Sequence, residues 1–362
     1  IDNPDFFPNA PPIAALAAAS SQTSIQRVSS ELRAPYLIQS ALSFERELPR
    51  NTTASITYAV THGVHILRSR DINAPLPGSG FFPLGNPVQV FVMESSGVYN
   101  QNQWTVNVNS KISRDTSLTG AYQYNRAFSN TDGVSTFPAN PYSMEGEYGP
   151  AASDVRHRLT LMGTITTKWG LRFNPLLTAN SGPPFDITVG HDLYGDTLFN
   201  GRPGIATEPN KPGVVATPYG LLDPNPTAEQ LLIPRNFGRG PGQVMLNLRV
   251  GRTFRFGTVR EGSAAANTGG GVGSASASQG APATPFGTAV SGQSGASRAR
   301  RYSLTISLQI RNVLNHNNPG AIIGNLASPL FGRANQPAGS GGAVFSESAN
   351  NRRLEMQMRL TF

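Results

Sequence analysis

The chain contains 362 residues with a formal net charge of +8, and it is 38% hydrophobic, with 38 Gly, 29 Pro and no Cys. The lack of cysteine excludes a disulfide framework and a thiolate metal site. No apolar run reaches the length of about 18 residues that a membrane-spanning helix needs, and the abundance of Gly and Pro favours strands and long loops over a helical protein.

The positive charge is almost wholly arginine, because the sequence contains only three lysines. Nucleic-acid-binding proteins usually cluster their basic residues in runs or on one helix face. Here the only dense cluster is Arg298, Arg300 and Arg301. Arginines that line a water-filled lumen, or that face anionic outer-leaflet lipid such as lipopolysaccharide, explain the excess more simply, so we expect no nucleic-acid partner.

Alternation of apolar and polar residues with a period of two predicts a series of long strands. The first, for example, places Tyr36, Ile38, Leu42 and Phe44 in one phase. A tilted strand that crosses a bilayer needs about 9 to 11 residues, whereas strands in soluble sandwiches average about 5 to 6 residues, so most of these stretches are long enough to span. In chain order the predicted strands are 35–47, 54–66, 104–112, 118–128, 155–167, 171–189, 244–256, 301–312 and 354–362.

The last two predicted strands alternate most regularly. Their polar phase includes Gln309, Arg311, Gln357 and Arg359. Outer-membrane barrels show the same pattern, with lipid outside and water inside. We therefore predict that the polar set faces a lumen and that the apolar set faces lipid. The apolar set comprises Leu304, Ile306, Leu308, Ile310, Leu354, Met356, Met358 and Leu360.

Short and long connections alternate along the chain. Barrels of the outer membrane have short periplasmic turns and long outer loops. If the C-terminus is periplasmic, the parity of the strands places all the short connections in the periplasm and all the long ones outside. The short connections are 48–51, 113–116 and 168–170, and the long ones are 1–34, 67–103, 129–154, 190–242 and 316–349.

One connection departs from this rule. The stretch 257–299 is rich in Gly, Ser and Ala, and a segment of this composition buries too little apolar surface to fold. We predict that it is disordered, and parity places it in the periplasm despite its length. It is either a neutral expansion of a turn or a segment that docks a protein.

These patterns predict an all-β protein. The expected fold is an antiparallel transmembrane β-barrel whose part in this chain is a meander of about nine long strands that does not close on itself. We assign the whole of 1–362 to the C-terminal part of one barrel, with 257–299 as a disordered insertion within it.

Five aromatic residues fall near the predicted periplasmic ends of strands. A girdle of aromatic residues is typical of the membrane interface in outer-membrane barrels. Ordinary core packing is the alternative, but it does not predict that the residues collect at one level. The predicted girdle consists of Trp169, Phe254, Phe256, Tyr302 and the C-terminal Phe362.

Catalytic and metal sites are poorly supported. The five histidines are far apart, and His62 and His65, three residues apart, would point to opposite faces of a strand. Asp192, Asp196 and Asn200 offer oxygen ligands in a Gly-containing loop and are a weak candidate for Ca²⁺, with a hydrogen-bonded turn as the alternative. We predict no catalytic residues, no cofactor and no established metal site.

Several short stretches resemble one family. The run 311–318, Arg-Asn-Val-Leu-Asn-His-Asn-Asn, is similar to a motif near the end of TonB-dependent receptors of the Oar-like, carboxypeptidase-regulatory-like group. The other similar stretches follow in the expected order along nearly the whole chain. They are 44–49 (Phe-Glu-Arg-Glu-Leu-Pro), 70–73 (Arg-Asp-Ile-Asn), 181–185 (Ser-Gly-Pro-Pro-Phe), 200–204 (Asn-Gly-Arg-Pro-Gly) and 330–333 (Leu-Phe-Gly-Arg).

The resemblance implies a barrel of about 22 strands that encloses a plug domain. Neither a plug nor a TonB-interacting box occurs in this sequence, so we expect the chain to be the C-terminal part of a longer receptor. The implied partners are outer-membrane lipid and lipopolysaccharide, the barrel-assembly machinery that would recognise Phe362, the TonB system through the N-terminal part, and an unidentified extracellular ligand.

Two classes of function remain open from the sequence. The first is an outer-membrane receptor or transporter that takes up a ligand, and the second is a structural, adhesive or passive-porin barrel without energised transport. A soluble all-β binding protein is a distant third. A plug domain and a TonB box encoded upstream of Ile1 would favour the first class.

Overall fold

The computed structural model describes residues 24–227, 229–259, 300–334 and 351–362, and every regular element within these ranges is a β-strand. No helix in the described part of the chain is long and apolar enough to cross a membrane. In chain order the strands are β1 (Ser24–Val28), β2 (Tyr36–Leu48), β3 (Thr52–Asp71), β4 (Gln89–Ser110), β5 (Thr116–Ser129), β6 (Gly149–Pro150), β7 (His157–Thr166), β8 (Leu171–Asn180), β9 (Pro184–Phe185), β10 (Gly204–Ile205), β11 (Val215–Thr217), β12 (Gly220–Asp223), β13 (Gly238–Arg239), β14 (Gln243–Val259), β15 (Arg300–Arg311) and β16 (Arg353–Thr361).

Nine long strands form one antiparallel meander. Their order across the sheet is β16-β15-β14-β8-β7-β5-β4-β3-β2, and each strand pairs with its neighbours along this path. The described strands at the two ends, β2 and β16, do not pair with each other, so the sheet is open. The predicted all-β meander of about nine strands that does not close on itself is therefore confirmed.

Side chains alternate between two faces of this sheet because successive residues of a strand point in opposite directions. One row of paired residues, Met356, Leu308, Val250, Phe173 and Ile165, is wholly apolar. The adjacent row on the other face is polar in all five strands, and it consists of Glu355, Gln309, Arg249, Asn174 and Thr164. We call these the apolar face and the polar face.

The connections fall at two ends of the sheet. Residues 49–51, 111–115 and 167–170 form short turns at one end, which we call the turn end. Residues 72–88, 130–156, 181–242 and 312–352 connect strands at the other end, the loop end. The alternation of short and long connections agrees with the prediction, and β14 and β15 are joined at the turn end.

The predicted loop at 67–103 is wrong over most of its length. β3 continues to Asp71 and β4 begins at Gln89, so that only 72–88 connects them. The polar residues of β4 that suggested a loop, such as Asn100 and Gln103, lie in a regular ladder with β3 and β5. Strands that extend past the apolar band keep backbone pairing but lose the apolar phase, and alternation alone does not detect them.

Two other predicted loops also contain strands. Within 1–34, β1 pairs in parallel with residues Gln89–Met93 of β4, at a level that β5 does not reach. Within 190–242, β10, β12 and β11 form a small sheet, and β13 pairs with β9. These strands have two to five residues, which is too short for period-two alternation to be visible in the sequence.

Some predictions fall outside the described residues. Most of the Gly/Ser-rich stretch 257–299 does so, because the description stops at Val259 and resumes at Arg300, although residues 257–259 themselves belong to β14. The first part of the predicted loop 1–34 and the end of the predicted loop 316–349 also lie outside the described ranges.

Candidate functional site

The long connections at the loop end pack together into a layer with its own core. We call residues 72–88, 130–156, 181–227, 229–242 and 312–334 the cap. Ile187, Leu222, Ile233 and Leu326 form a buried apolar cluster there, from connections that are far apart in sequence. Four partly buried aromatic residues pack against the cluster: Phe185, Tyr219, Phe237 and Phe331.

A buried ionic network joins two of these connections, 130–156 and 181–242. Glu147 is 1% exposed and forms an ion pair with Arg202, while Arg235 lies 3.7 Å from the second carboxylate oxygen of Glu147. Arg235 also donates to Asp132 at 2.9 Å. Buried charges are stable only when they are paired, so this network fixes the positions of the two connections relative to each other.

A second contact of this kind fastens the cap to the sheet. Asp154, also buried, accepts a hydrogen bond from the backbone N–H of Ala127 in β5 at 2.9 Å and forms an ion pair with Arg239. Arg68 of β3 is buried beneath the cap and donates to the carbonyl of Asn130 at 3.2 Å. The cap is therefore held rigidly against the ends of the strands.

The stretches that carried the family resemblance serve this architecture. The Asn312 side chain donates to the backbone carbonyl of His316 at 2.9 Å and accepts from the backbone N–H of His316 at 3.1 Å. The Asn318 side chain accepts from the backbone N–H of Val244 at 2.7 Å. A Cβ on Gly182 would lie 1.6 Å from the carbonyl oxygen of Gly240, so only glycine fits at this crossing. These positions hold the loops and are not arranged for catalysis.

An open cleft lies on the polar face where β2, β3, β4 and β5 meet the cap, and its volume is about 510 Å³. Gln39, Thr61 and Gln101 form one cross-strand row of its lining. Asp132 at its rim already accepts from Arg235 and, at 3.0 Å, from the side-chain amide of Asn236. The cleft therefore presents amide and hydroxyl groups to a ligand and little free charge.

A second cleft of about 820 Å³ lies beside the first, between β1 and the connection after β5. It shares Asp132 and Gly133 with the first cleft, and its lining includes the apolar side chains of Phe91, Met93 and Phe137. The two clefts together form a concave region at the loop end, which is where ligand sites of membrane barrels are accessible.

The three residues proposed to bind calcium lie in one loop, and both aspartates already accept hydrogen bonds from backbone N–H groups. Asp192 accepts from the backbone N–H groups of Gly195, Asp196 and Thr197 at 2.7 to 3.1 Å. The Asn200 side chain donates to two backbone carbonyls of the 130–156 connection. Within the described residues no group of three or more His, Asp or Glu side chains could hold a metal ion.

Asp196 itself is buried, and one of its carboxylate oxygens has no hydrogen-bond partner. Burial, which disfavours the charged form, raises the pKa of Asp196 to about 6, and the nearby charges of Asp192 and Asp71 act in the same direction. Its backbone carbonyl accepts from the side chain of Gln89, which links this turn to β4.

The eight apolar residues predicted to face lipid share the apolar face. They form four directly opposed pairs between β15 and β16, which are Leu304 with Leu360, Ile306 with Met358, Leu308 with Met356, and Ile310 with Leu354. The β16 members are exposed, with Met356 at 69%. The four polar residues named with them, Gln309, Arg311, Gln357 and Arg359, occupy the polar face.

The five aromatic residues of the predicted girdle lie at the turn end. Phe256 stacks on Tyr302 in the neighbouring strand, with ring centroids 5.7 Å apart. Trp169 lies in the turn between β7 and β8 and is 76% exposed, and Phe362 follows the last residue of β16. Their role as a girdle at the membrane interface stays a prediction.

A second aromatic set was not predicted. Tyr58, Trp104, Tyr124 and His157 form one row across β3, β4, β5 and β7 on the apolar face. Tyr58 and Trp104 are in contact, with ring centroids 4.5 Å apart, and the Tyr58 hydroxyl donates to Asn102 at 2.8 Å. The sequence signal was available in Tyr58, Tyr122 and Tyr124, but their common level depends on the strand register.

The histidines do not form a metal pair. His62 contacts the side chain of Asn100 at 2.6 Å. The prediction that His65 points to the opposite face is wrong, because the register shifts between Val64 and Ile66 and leaves His65 in a bulge with a φ of 57°. Its ring packs edge-on against Tyr36, which lies on the same face as His62.

The sheet, with one apolar and one polar face, has the architecture expected of the family that this sequence matches. A family model described as the outer membrane beta barrel domain matches residues 2–263. The chain belongs to this family. This outer-membrane barrel chain is therefore located in the bacterial outer membrane, and the predicted fold class and location are both confirmed.

Solved structures of outer-membrane transporters are similar to this barrel chain. One is the outer membrane transporter YddB from Escherichia coli, with 10% identity, a TM-score of 0.44, and coverage of 81% of this chain and 30% of that one. Another is the FrpB iron transporter from Neisseria meningitidis, with 10% identity, a TM-score of 0.43, and coverage of 93% and 33%. The chain thus spans about a third of the length of these transporters, and none of the curated proteins matches it.

Proposed function

We propose that this chain is the C-terminal part of the barrel of a TonB-dependent receptor of the Oar-like group, and that it binds an extracellular ligand during uptake across the outer membrane. The observation that carries this proposal is the cap. The loops form a layer with a buried core and an ionic network, which holds the residues around the two clefts in fixed positions. A rigid cap beside two clefts is suited to selective binding.

The proposed orientation follows from the two ends of the sheet. The apolar face contacts lipid, the polar face contacts the lumen, the turn end is periplasmic and the cap is outside. The turn-end aromatics and the row that contains Tyr58 and Trp104 then lie at the two membrane interfaces. Phe362 is the proposed recognition element for the barrel-assembly machinery, and lipopolysaccharide surrounds the outer edge of the apolar face.

Epitope insertion tests this orientation. A tag near Gly213, in the cap, is expected to bind antibody on intact cells. A tag near Ser276, which lies outside the described residues between β14 and β15, is expected to bind only after the outer membrane is permeabilised. Labelling of the Ser276 tag on intact cells would overturn the proposed orientation of the sheet.

Energised transport is tested on the full-length protein. We expect the sequence upstream of Ile1 to encode a plug domain and a TonB box, and a cysteine in that box to form a disulfide with a cysteine in TonB in living cells. A full-length protein without a plug, or with no TonB cross-link and a steady open conductance in lipid bilayers, would instead establish the alternative of a passive or structural barrel.

A further inference from the structure

Charge is unevenly distributed over the polar face. The polar-face residues of β2, β3, β4 and β5 within 37–47, 53–63, 99–109 and 117–129 include no arginine or lysine, and they are mostly Gln, Asn, Thr and Ser. The polar-face residues within 172–180, 243–255, 303–311 and 353–361 include a single acid, Glu355. The same ranges contain six arginines on that face: Arg172, Arg249, Arg255, Arg311, Arg353 and Arg359.

Four of these arginines are successive neighbours across four strands. Arg353 of β16 is directly opposite Arg311 of β15. On one side, Arg249 of β14 pairs with Gln309 of β15, so Arg311, two residues further along β15, is its diagonal neighbour. On the other side, Arg249 pairs with Asn174 of β8, so Arg172 is its diagonal neighbour there. Diagonal neighbours on one face are about 7 to 8 Å apart. We call these four residues the arginine column.

The column runs along the barrel axis. Each diagonal step combines about 4.8 Å between strands with about 6.6 Å along a strand, which gives a direction about 36° from the strand. Strands in barrels tilt from the axis by about 35 to 45°. The tilt has the matching sense. The cross-strand row that starts at Met356, five residues before the end of β16, reaches the turn end of the sheet at Thr116.

The column is thus a vertical series of positive charges from the loop end toward the turn end. Like charges directly opposite each other in a sheet are destabilising, so the Arg311 and Arg353 pair needs a compensating anion. Glu355 supplies one carboxylate, at 3.2 Å from Arg311. Arg249 is held by neutral groups instead, the Ser307 hydroxyl at 3.3 Å and the Gln357 carbonyl oxygen at 3.5 Å. The column retains a positive excess.

We propose that the arginine column binds small polyvalent anions that carry carboxylate or phosphate groups, and that it guides them along the lumen wall. Arginine binds both groups through paired N–H donors. A lumen enclosed by low-dielectric walls strengthens the attraction. This inference rests on the proposed uptake function and names its ligand class. The wall of β2–β5 has Glu45 and Glu47 and no basic residue on its polar face within the ranges given above, so it does not attract anions.

Calorimetric titration of the purified full-length protein in detergent at low salt tests this proposal. The probes are citrate for carboxylates, pyrophosphate for phosphates, acetate as a monovalent anion and maltotriose as a neutral solute. We expect citrate or pyrophosphate to bind saturably, and acetate and maltotriose to show no saturation. Arg249→Gln is expected to weaken binding by about tenfold, which is typical for the loss of one charge-assisted contact.

The matched control is Arg252→Gln. Arg252 is on the same strand and carries the same charge, but it lies on the apolar face over the ring of Phe254. It should leave the affinity unchanged, and Arg249→Lys should restore part of the affinity by keeping the charge. Folding of every variant is checked by the resistance of the barrel to unfolding in detergent.

Three results would overturn the proposal. The first is no saturable binding of citrate or pyrophosphate at millimolar concentration, and the second is an equal loss of affinity in Arg249→Gln and Arg252→Gln. The third is binding of an acidic polypeptide such as oligoglutamate but of neither small anion, which would assign the column to a protein occupant. Because binding is measured without TonB, its outcome is independent of the cross-linking test of energised transport.

Discussion

The cap and the nine-stranded sheet bury their apolar residues in opposite ways. In the cap, Ile187 and Ile233 have 0% of their surface exposed, and charged side chains such as Glu147 are enclosed with their partners. In the sheet, Leu354, Met356 and Leu360 are exposed on the apolar face, and the polar groups occupy the other face. The cap is built for water on its outside, whereas the sheet is built for lipid on one side and water on the other.

This difference shows that two solvents act on one chain. Water drives apolar side chains inward, and lipid has no such preference, so a strand in a membrane keeps its apolar side chains on the outside. Substitutions in the cap should therefore behave as they do in a soluble protein. Substitutions in the sheet should instead depend on the face that they occupy.

The largest effect should follow from breaking the ionic network of the cap. Glu147→Gln keeps the shape of the side chain but removes the negative charge between Arg202 and Arg235. Loss of one partner of a buried ion pair costs about 3 to 5 kcal/mol. We expect faster hydrogen exchange throughout 130–156 and 181–242, measured by mass spectrometry. Glu145→Gln, two residues away and exposed, is the control, and equal exchange in both variants would contradict the importance of the network.

A smaller loss is expected from a cavity in the core of the cap. Ile187→Ala removes a fully buried side chain from the apolar cluster, and truncations of this kind cost about 2 to 5 kcal/mol. Ile205→Ala, at a position that is 41% exposed, should cost much less. The measurement is protease sensitivity of the cap with the barrel intact. Similar sensitivity of the two variants would show that the cap is loosely packed.

The two faces of the sheet should differ in their tolerance of charge. Leu308→Arg places a charge on the apolar face, which costs about 2 to 4 kcal/mol near the membrane midplane. Gln309→Arg, the next residue along β15, places the same charge on the polar face and should cost little. Denaturant titration in lipid vesicles measures both. Equal tolerance at the two positions would refute the assignment of the faces.

The smallest effect concerns pH and Asp196. Its pKa in the folded cap is raised to about 6 from the usual 3.8, so the folded state binds the proton more tightly than the unfolded chain does. The free energy of unfolding that Asp196 contributes is greatest below pH 4. It declines as the pH rises to about 6 and is constant above that value. The expected decline is about 1 to 3 kcal/mol.

Asp196→Asn should remove this decline because the amide does not ionise. The melting temperature of the cap, followed by calorimetry between pH 4 and pH 7, measures the effect. Asp192→Asn would not serve as a neutral control, because that carboxylate accepts three backbone N–H groups. A wild-type melting temperature that does not change over this range would contradict the raised pKa of Asp196.

The sequence predicted the sheet better than the cap. All nine long strands were identified and their order was correct, because period-two alternation is a local signal that each strand carries by itself. The extensions of β3 and β4 beyond the apolar band were missed, since Asn100 and Gln103 lack an apolar phase there. The lipid-facing and girdle assignments remain predictions, although their residues share the expected face and level.

Alternation by itself determined that this chain forms long antiparallel strands with one apolar and one polar face, because the membrane imposes the same requirement on every residue pair of a strand. Only the tertiary structure decided what the loops do. Glu147 meets Arg202 and Arg235, which lie 55 and 88 residues further along the chain. The four arginines of the column become neighbours only through strand register. Contacts of this kind depend on long-range packing, which no local pattern encodes.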